Sequence, residues 1–388
     1  GIPQLAAQRK MTRVFITIDW FLPGTNSGGP VRSVANLIAA LPDCQFYVFT
    51  RNTDYCATEA YEGITPNTWV KFSENCEVYY CSEQNISKAT LAAQLKAIAP
   101  DVLYINGIYS KAFSRWPVSI GKALKLKTVV AARGMLSPHA LGVKPFKKYL
   151  FLTWMRWLSA YAHVIFHATS EVEKTDIQKV LGGQLNVQVV PNLARFKQLA
   201  PQAISKEEGV LKLVSVGRIA PEKGTLHGLN ALASQKAQIQ LDLYGTCYNE
   251  AYWNECLQVI AQLPSNIKVN YHGPCPSDEV AAHLAAAHAL LLPSEGENYG
   301  HSIVESLGQG RPVLISKHTP WQDLAAQKAG WDVILTDLPL ALAELAAMDQ
   351  ARYDEWCGGA AAYYEKQILV PFAEHQDAYL KLFSVSTS

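Results

Sequence analysis

Residues 288–305 read HALLLPSEGENYGHSIVE and contain a strand, a turn and the start of a helix. The apolar run that ends at Pro293 predicts a buried strand, and the apolar positions beyond the turn predict a helix. In open α/β sheets such a turn lies at the carboxyl end of a strand, where ligands bind. The helix N-terminus offers backbone N–H groups to an anion, and Glu297 and Glu305 bracket it. This layout suits a nucleotide-sugar, which carries a hydroxyl-rich group on each side of a diphosphate.

Strands and helices alternate on both sides of this stretch. In the second half, apolar runs predict strands at 211–216, 239–244, 267–272, 289–292 and 313–315. In the first half they predict strands at 14–18, 45–50, 101–106, 127–132 and 163–168. Helical patterns between them make each half a series of βαβ units, the signature of a parallel sheet covered by helices. We therefore predict an α/β fold with two halves of like architecture.

The chain divides near Pro191, because the residues that follow it show no clear period. We predict an N-terminal domain at 11–191, a C-terminal domain at 192–365 and a terminal helix at 366–388. Residues 1–10 precede the first methionine and lack an apolar core, so we interpret them as a tag or a loose tail. The helical C-terminal region is expected to break near Gly358-Gly359 and Pro371.

Composition narrows the class of protein. The chain has 34 basic and 33 acidic residues, a balance that argues against a general nucleic-acid binder. Its eight cysteines include no C-x-x-C pair, which favours reduced thiols in a cytoplasmic protein. No run of 18 apolar residues lacks charge, so we predict no transmembrane helix.

A second candidate anion site follows the predicted strand at 211–216. There, Arg218 and Lys223 are close enough in sequence for both side chains to reach one anion. Arginine offers a bidentate fork and lysine a point charge. Together with the turn around Glu297, they would neutralise a leaving diphosphate without a metal. The sequence has no Asp-x-Asp element near a strand end, so we expect no metal and no cofactor.

These patterns together resemble family 4 of the GT-B glycosyltransferases. The motifs that carry the resemblance are Gly217-Arg218…Lys223-Gly224, Pro293-Ser294…Glu297-x7-Glu305 and Gly310-x-Pro312-Val313. The resemblance covers most of the chain from Arg13 onward. A weaker similarity, at Thr319-Pro320-Trp321, is to members that build exopolysaccharide or O-antigen-like glycans. The resemblance implies a GT-B fold, in which two Rossmann-like domains face a deep interdomain cleft and the final helix returns to the N-terminal domain.

The resemblance also implies a donor site in the cleft. Arg218 and Lys223 would hold the diphosphate, Glu297 would bond sugar hydroxyls, and Glu305 would take the ribose. The implied donor-binding residues are Gly28, Gly29, Gly217, Arg218, Lys223, Pro274, Cys275, Glu297, Asn298, Tyr299, Gly300, His301, Ser302 and Glu305. Pro274 and Cys275 would meet the base through their backbone.

The sequence departs from the family at one candidate catalytic position. Many members have a histidine after the strand at 127–132, whereas Arg133 stands here and His139 follows six residues later. Arg133 would stabilise phosphate charge, and His139 would bond the sugar or accept a proton. Alternatively, each is a loop residue that shapes the acceptor site. We count both as candidate catalytic residues beside Glu297, Lys223 and Arg218, and the candidate acceptor contacts are Asn106, Tyr109 and His139.

The resemblance implies a retaining transfer, and we expect a front-face mechanism. The expected reaction moves a hexose from UDP-glucose or UDP-N-acetylglucosamine to a hydroxyl of a glycan or lipid-linked acceptor. Open alternatives are a GDP-mannose-dependent mannosyltransferase, an epimerase or phosphorylase, and a non-catalytic nucleotide-sugar-binding protein. A dehydrogenase is disfavoured because the sequence lacks G-x-G-x-x-G.

The segment after Pro145 mixes lysine and arginine with aromatic residues. It fits a helix packed on the core with a solvated basic face. It also fits a helix that docks on an anionic membrane surface. The second interpretation places a cytoplasmic protein peripherally at the inner face of the membrane, close to a lipid-linked acceptor.

Overall fold

The computed structural model describes residues 11–195 and 202–385, and the strands in these residues form two sheets. The strands of the first sheet are β1 (Thr12–Thr17), β2 (Cys44–Arg51), β3 (Trp69–Ser73), β4 (Cys76–Cys81), β5 (Val102–Asn106), β6 (Lys127–Ala131), β7 (Val164–Ala168) and β8 (Asn186–Val189). Their order is β3-β4-β2-β1-β5-β6-β7-β8, and every described pairing except β3 with β4 is parallel. All residues of β5 are buried, as expected for a parallel strand covered on both faces.

Within residues 11–195, six helices flank this sheet. They are α1 (Gly29–Ala40), α2 (Lys88–Ile98), α3 (Trp116–Ala123), α4 (Pro138–Leu141), α5 (Pro145–Trp157) and α6 (Glu171–Leu181). Helix α1 begins at the glycine-rich loop after β1, and its apolar side packs into the core through Val31, Val34 and Leu37. The N-terminus of α1 therefore lies at the carboxyl edge of the sheet.

Within residues 202–385, the second sheet has six strands in the order β11-β10-β9-β12-β13-β14, and their pairings are parallel. The strands are β9 (Val210–Val216), β10 (Gln238–Tyr244), β11 (Ile267–Tyr271), β12 (Ala289–Leu292), β13 (Val313–Ser316) and β14 (Gly330–Val333). The sequence did not predict β14, because its four residues include a glycine and an aspartate and show no strand pattern.

Seven helices complete the described part of the chain. They are α7 (Thr225–Leu232), α8 (Glu250–Gln262), α9 (Val280–Ala285), α10 (His301–Gly308), α11 (Leu338–Ala346), α12 (Gln350–Tyr364) and α13 (Phe372–Phe383). The break predicted at Gly358-Gly359 is wrong, because α12 continues through both glycines. A Cβ atom at Gly359 would lie 2.2 Å from the Lys328 carbonyl oxygen, so this glycine permits close packing.

Helix α13 packs against the first domain. Tyr379, Leu382 and Phe383 are buried in the same core cluster as β1 and α1. The Gln376 side chain donates a hydrogen bond of 2.7 Å to the Ala40 carbonyl oxygen at the end of α1. The last described helix therefore ties the end of the chain to the first sheet.

The sequence also predicted reduced cysteines and no transmembrane helix. All eight cysteines are free thiols, and half of them are buried. Among the described residues, no helix has the length and apolar character needed to cross a bilayer.

Candidate active site

A cleft separates the two sheets, and the loops at their carboxyl ends line it. The first domain contributes the start of α1 and the loop after β6, and the second contributes the loops after β9 and β12. The residues around the central cavity are Gly28, Gly29, Pro30, Arg32, Ser33, Arg133, Asn192, Val216, Gly217, Arg218, Lys223, Glu297, Asn298, Tyr299, Gly300, His301 and Ser302. The cleft thus brings together most of the predicted donor-binding residues.

Lys223 and Glu297 meet at the centre of the cleft. The Lys223 Nζ lies 2.7 Å from Glu297 Oε1, and only 9% of the Glu297 side chain is exposed. Two backbone hydrogen bonds hold this pair in place. The Glu297 N–H donates to the His318 carbonyl oxygen, and the Glu295 N–H donates to the Glu222 carbonyl oxygen. The two loops that the sequence predicted to share one anion are therefore joined directly.

Arg218 borders three adjoining cavities of the cleft. Its Nη2 lies 3.6 Å from Glu222 Oε1, and about a third of its side chain is exposed. The guanidinium therefore lies where the three cavities adjoin, and its contact with a diphosphate stays a prediction.

Helix α10 points its N-terminus into the central cavity. Its N-cap, Gly300, has a φ of 77°, a conformation that glycine adopts without strain. His301 Nε2 lies 2.8 Å from Ser33 Oγ, so the helix start also contacts α1 across the cleft. Burial lowers the pKa of His301 well below its usual range, and the charges of Arg32, Arg133 and Lys223 lower it further. The ring is neutral at pH 7.

Glu305 forms an ion pair with Arg32 of α1. Burial lowers the pKa of Arg32 to about 10, so its guanidinium is still charged at pH 7. The sequence assigned the Glu305 carboxylate to ribose, and that role stays a prediction. In this structure the same carboxylate is held by the opposite domain, a contact without any sequence signal.

A second cavity extends from Arg218 to the predicted base site. Pro274 and Cys275 line it, together with Tyr244 at the end of β10 and Thr246 in the loop that follows. Burial raises the pKa of the Cys275 thiol to about 11, so the group is uncharged at pH 7. The ligand atoms of Cys275, Glu279 and His283 lie within 4.8 Å of one another, a grouping that the sequence did not indicate.

Arg133 is held by three neutral acceptors. Its guanidinium donates to Asn106 Oδ1 at 2.9 Å, to the Tyr104 hydroxyl oxygen at 3.0 Å and to Asn192 Oδ1 at 3.1 Å. Its φ of 53° is rare for a non-glycine residue and marks local strain. Both features orient a fixed positive charge toward the central cavity.

His167 positions the tyrosine on which Arg133 rests. Its Nδ1 lies 2.8 Å from the Tyr104 hydroxyl, and its Nε2 lies 2.7 Å from the Val190 carbonyl oxygen. A carbonyl accepts only, so Nε2 carries the proton and Nδ1 accepts from Tyr104. Burial, and then the charge of Arg133, lower the pKa of His167 to about 3.

This histidine predicts a pH-dependent stability. In the unfolded chain His167 has a pKa near 6.5, so the unfolded state binds its proton first as the pH falls. Stability from the neutral ring is present above pH 6.5 and is lost toward pH 3, at about 1.4 kcal/mol per pH unit. The stability gap between wild type and His167→Gln should therefore shrink by about 2 kcal/mol from pH 7 to pH 5 in urea unfolding. A constant gap would contradict this, and His227→Gln, an exposed histidine, serves as the control.

The predicted acceptor contacts have different environments. Asn106 lines a cavity of the cleft. The Tyr109 hydroxyl instead donates to the Met135 carbonyl oxygen, and its ring packs edge-on against Phe151. His139 is half-exposed, with its Nε2 3.7 Å from Glu295 Oε2 across the cleft. Among the cavities described here, neither Tyr109 nor His139 is a lining residue.

The cavity beside Asn106 contains residues that the sequence interpretation missed. Asp19, Trp20 and Tyr55 line it, and it shares Arg133 and Arg218 with the central cavity. The rings of Trp20 and Tyr55 pack edge-to-face, with centroids 4.8 Å apart. One signal was available, because Asp19 comes two residues after β1, at the carboxyl edge of the sheet.

The Asp19 carboxylate contacts Ser110 and Arg51. Its Oδ1 accepts a hydrogen bond of 2.8 Å from Ser110 Oγ and lies 3.6 Å from Arg51 Nη2. Burial raises the pKa of Asp19, while Ser110 and Arg51 act against this shift. The cavity therefore combines aromatic surface with a hydrogen-bond acceptor, a combination that suits a polyol ring.

Residues 196–333 match the sequence model of the family Glycosyl transferases group 1. This segment belongs to the group 1 glycosyltransferases. A 2-deoxystreptamine glucosyltransferase from Streptomyces kanamyceticus is 30% identical over an alignment of 182 residues, which covers 41% of this chain and 46% of the relative. The match thus spans about half the length of that relative. The group 1 segment contains Arg218, Lys223, Glu297 and Glu305.

Solved structures match nearly the whole chain. Sucrose-phosphate synthase from Thermosynechococcus elongatus has a TM-score of 0.73 at 16% identity, covering 96% of this chain and 99% of its own. HepE from Anabaena, in complex with UDP-glucose, has a TM-score of 0.68 at 16% identity, covering 95% and 99%. These likenesses show that the group 1 segment is part of a GT-B fold and confirm the predicted fold class.

Proposed function

We propose that the protein transfers a hexose from a nucleotide-sugar to a hydroxyl of a glycan or lipid-linked acceptor. The observation that carries this proposal is the Lys223–Glu297 pair at the N-terminus of α10, with Arg218 beside it in the cleft. Membership of the segment 196–333 in the group 1 family supports it. We favour UDP-glucose as donor, because HepE binds UDP-glucose and the curated relative is a glucosyltransferase. UDP-N-acetylglucosamine and GDP-mannose are the next candidates.

The proposed reaction is a front-face transfer with retention. The bond between the sugar C1 and the diphosphate oxygen breaks, and the acceptor oxygen bonds to C1 on the same face. The acceptor proton passes to the departing phosphate oxygen. Arg218, Lys223 and the N–H groups of α10 hold the negative charge that develops on the diphosphate. Glu297 positions the sugar and stabilises positive charge at its ring.

We place this reaction in the cytoplasm, at the inner face of the membrane, in the synthesis of a polysaccharide. A lipid-linked acceptor would be present there. The weaker motif similarity at Thr319-Pro320-Trp321 is consistent with that assignment.

A panel of UDP-, GDP-, ADP- and dTDP-sugars tests the proposed function. We expect one nucleotide-sugar, UDP-glucose first, to bind and to be hydrolysed slowly without acceptor. Binding of a nucleotide-sugar without any turnover would favour a non-catalytic protein. Turnover that requires inorganic phosphate would favour a phosphorylase, and nuclear magnetic resonance of the product would show whether the anomeric configuration is retained.

Replacing Asp19 should affect the reaction with the acceptor and leave donor hydrolysis unchanged. Asp19→Asn should lower kcat/KM for the acceptor about 10- to 100-fold, the scale for a hydrogen bond to a charged group. Donor hydrolysis should be unchanged, because Asp19 does not line the donor cavity. Glu83→Gln is the matched control, because Glu83 pairs with the same Arg51 but is exposed. An equal loss of donor hydrolysis in Asp19→Asn would contradict the assignment.

A further inference from the structure

The outer surface of α5 exposes a row of large apolar side chains. Phe146, Leu150, Trp154 and Trp157 follow one another at helical spacing, and each is at least half exposed. Trp157 is 80% exposed and Phe146 is 73% exposed. We name these four residues the aromatic face. Leu152 and Met155 are the buried residues of α5, and they pack the helix on the core, as the first of the two interpretations expects. Most of its rings are nevertheless exposed.

Basic residues flank the aromatic face. Lys144, Lys147 and Arg156 are exposed on α5 or just before it. The sequence from Arg133 to Ser170 contains neither aspartate nor glutamate. A helix with exposed tryptophan and phenylalanine, in a segment whose charged residues are all basic, matches the composition of interfacial helices.

We propose that the aromatic face docks α5 on an anionic lipid bilayer. The 13 residues of α5 would lie along the interface over roughly 20 Å, at about 1.5 Å per residue. The rings would enter the boundary between head groups and acyl chains, and the lysines and arginine would contact lipid phosphates. The charge pattern favours this occupant over a protein partner, because it complements a surface that is uniformly negative.

Docking through α5 would also orient the cleft. The Lys148 Nζ donates 2.6 Å to the Ala140 carbonyl oxygen, so α5 is tied to α4. Helix α4 follows the loop that starts at Arg133. This helix lies beside the cleft, because its residue His139 approaches Glu295 of the second domain. The aromatic face would therefore hold the cleft close to the membrane. This purpose rests on the proposed function, since it requires a lipid-linked acceptor.

Vesicle sedimentation tests the docking. We expect wild type to bind vesicles of phosphatidylglycerol and phosphatidylcholine, and Trp154→Gln/Trp157→Gln to bind them at least ~10-fold more weakly. Leu340→Gln/Val370→Gln is the control, because it removes two other apolar side chains that are more than half exposed and lie outside the aromatic face. The control should bind like wild type. Equal binding by the tryptophan variant, or no binding by wild type, would overturn the proposal.

A charge variant and an activity measurement complete the experiment. Lys147→Gln/Arg156→Gln should weaken binding to anionic vesicles, whereas Lys96→Gln/Lys122→Gln, also exposed, should not. Equal binding of wild type to pure phosphatidylcholine would overturn the anionic requirement. Hydrolysis of the soluble donor should be the same in the tryptophan variant and wild type. Absence of hydrolysis in wild type would instead contradict the proposed function and leave vesicle binding as a separate result.

Discussion

Turnover of the nucleotide-sugar is expected to fall at least ~10²-fold when Glu297 is replaced by glutamine, the scale for one preorganised electrostatic contact. The substitution keeps the shape of the side chain and removes its charge. Glu297 is nearly buried and lies 2.7 Å from the Lys223 ammonium, so solvent cannot replace the lost carboxylate. Initial rates with donor and acceptor measure the effect, and donor hydrolysis serves until the acceptor is identified.

Substitution of Lys223, the partner of Glu297, tests the same catalytic assignment a second time. Lys223→Met should lower turnover by a similar factor of at least ~10², because the lysine would hold the leaving diphosphate. The double variant should lose less than the product of the two factors, since residues that act as a unit are not additive. Lys328→Gln/Glu355→Gln removes an exposed ion pair of similar length and should leave turnover unchanged. Near-wild-type turnover by either single variant would refute the catalytic assignment.

The second large effect is structural, and it concerns Gly224. This residue follows Lys223 and has a φ of 72°. A Cβ atom there would lie 1.9 Å from the Pro293 carbonyl oxygen, in the segment that leads to Glu297. Neither backbone can move without separating the two halves of the donor site. Gly224→Ala should therefore lower the free energy of unfolding by about 3–4 kcal/mol, from left-handed strain and overpacking together.

Gly209 separates those two contributions. It has nearly the same φ, 76°, but no heavy atom lies within 4 Å of a Cβ built on it. Gly209→Ala should therefore show only the conformational cost, about 1 kcal/mol. Urea unfolding of both variants measures the difference. Equal losses in the two variants would show that the contact between Gly224 and Pro293 does not constrain the site.

Local patterns in the sequence predicted the fold well where secondary structure depends on nearby residues. The buried strand before Ser294, the helix after Gly300 and the alternating βαβ units all have such patterns. The errors occurred where packing overrides local preference. Gly358-Gly359 continues a helix because α12 needs a close approach, and β14 pairs with β13 despite a weak strand sequence.

The candidate site also has one part that local sequence predicts and one part that it does not. Arg218, Lys223, Glu297 and the start of α10 were predictable, because chemistry at strand ends and helix N-termini follows from local spacing. The sequence by itself therefore determined an α/β chain with a candidate anion site on its second half. Only the tertiary structure decided the partners of these groups. Lys223 and Glu297 are 74 residues apart, and Arg32 and Glu305 are 273 apart. The first contact depends on the pairing of β9 with β12, and the second depends on how the two domains pack. No short stretch of sequence encodes either arrangement.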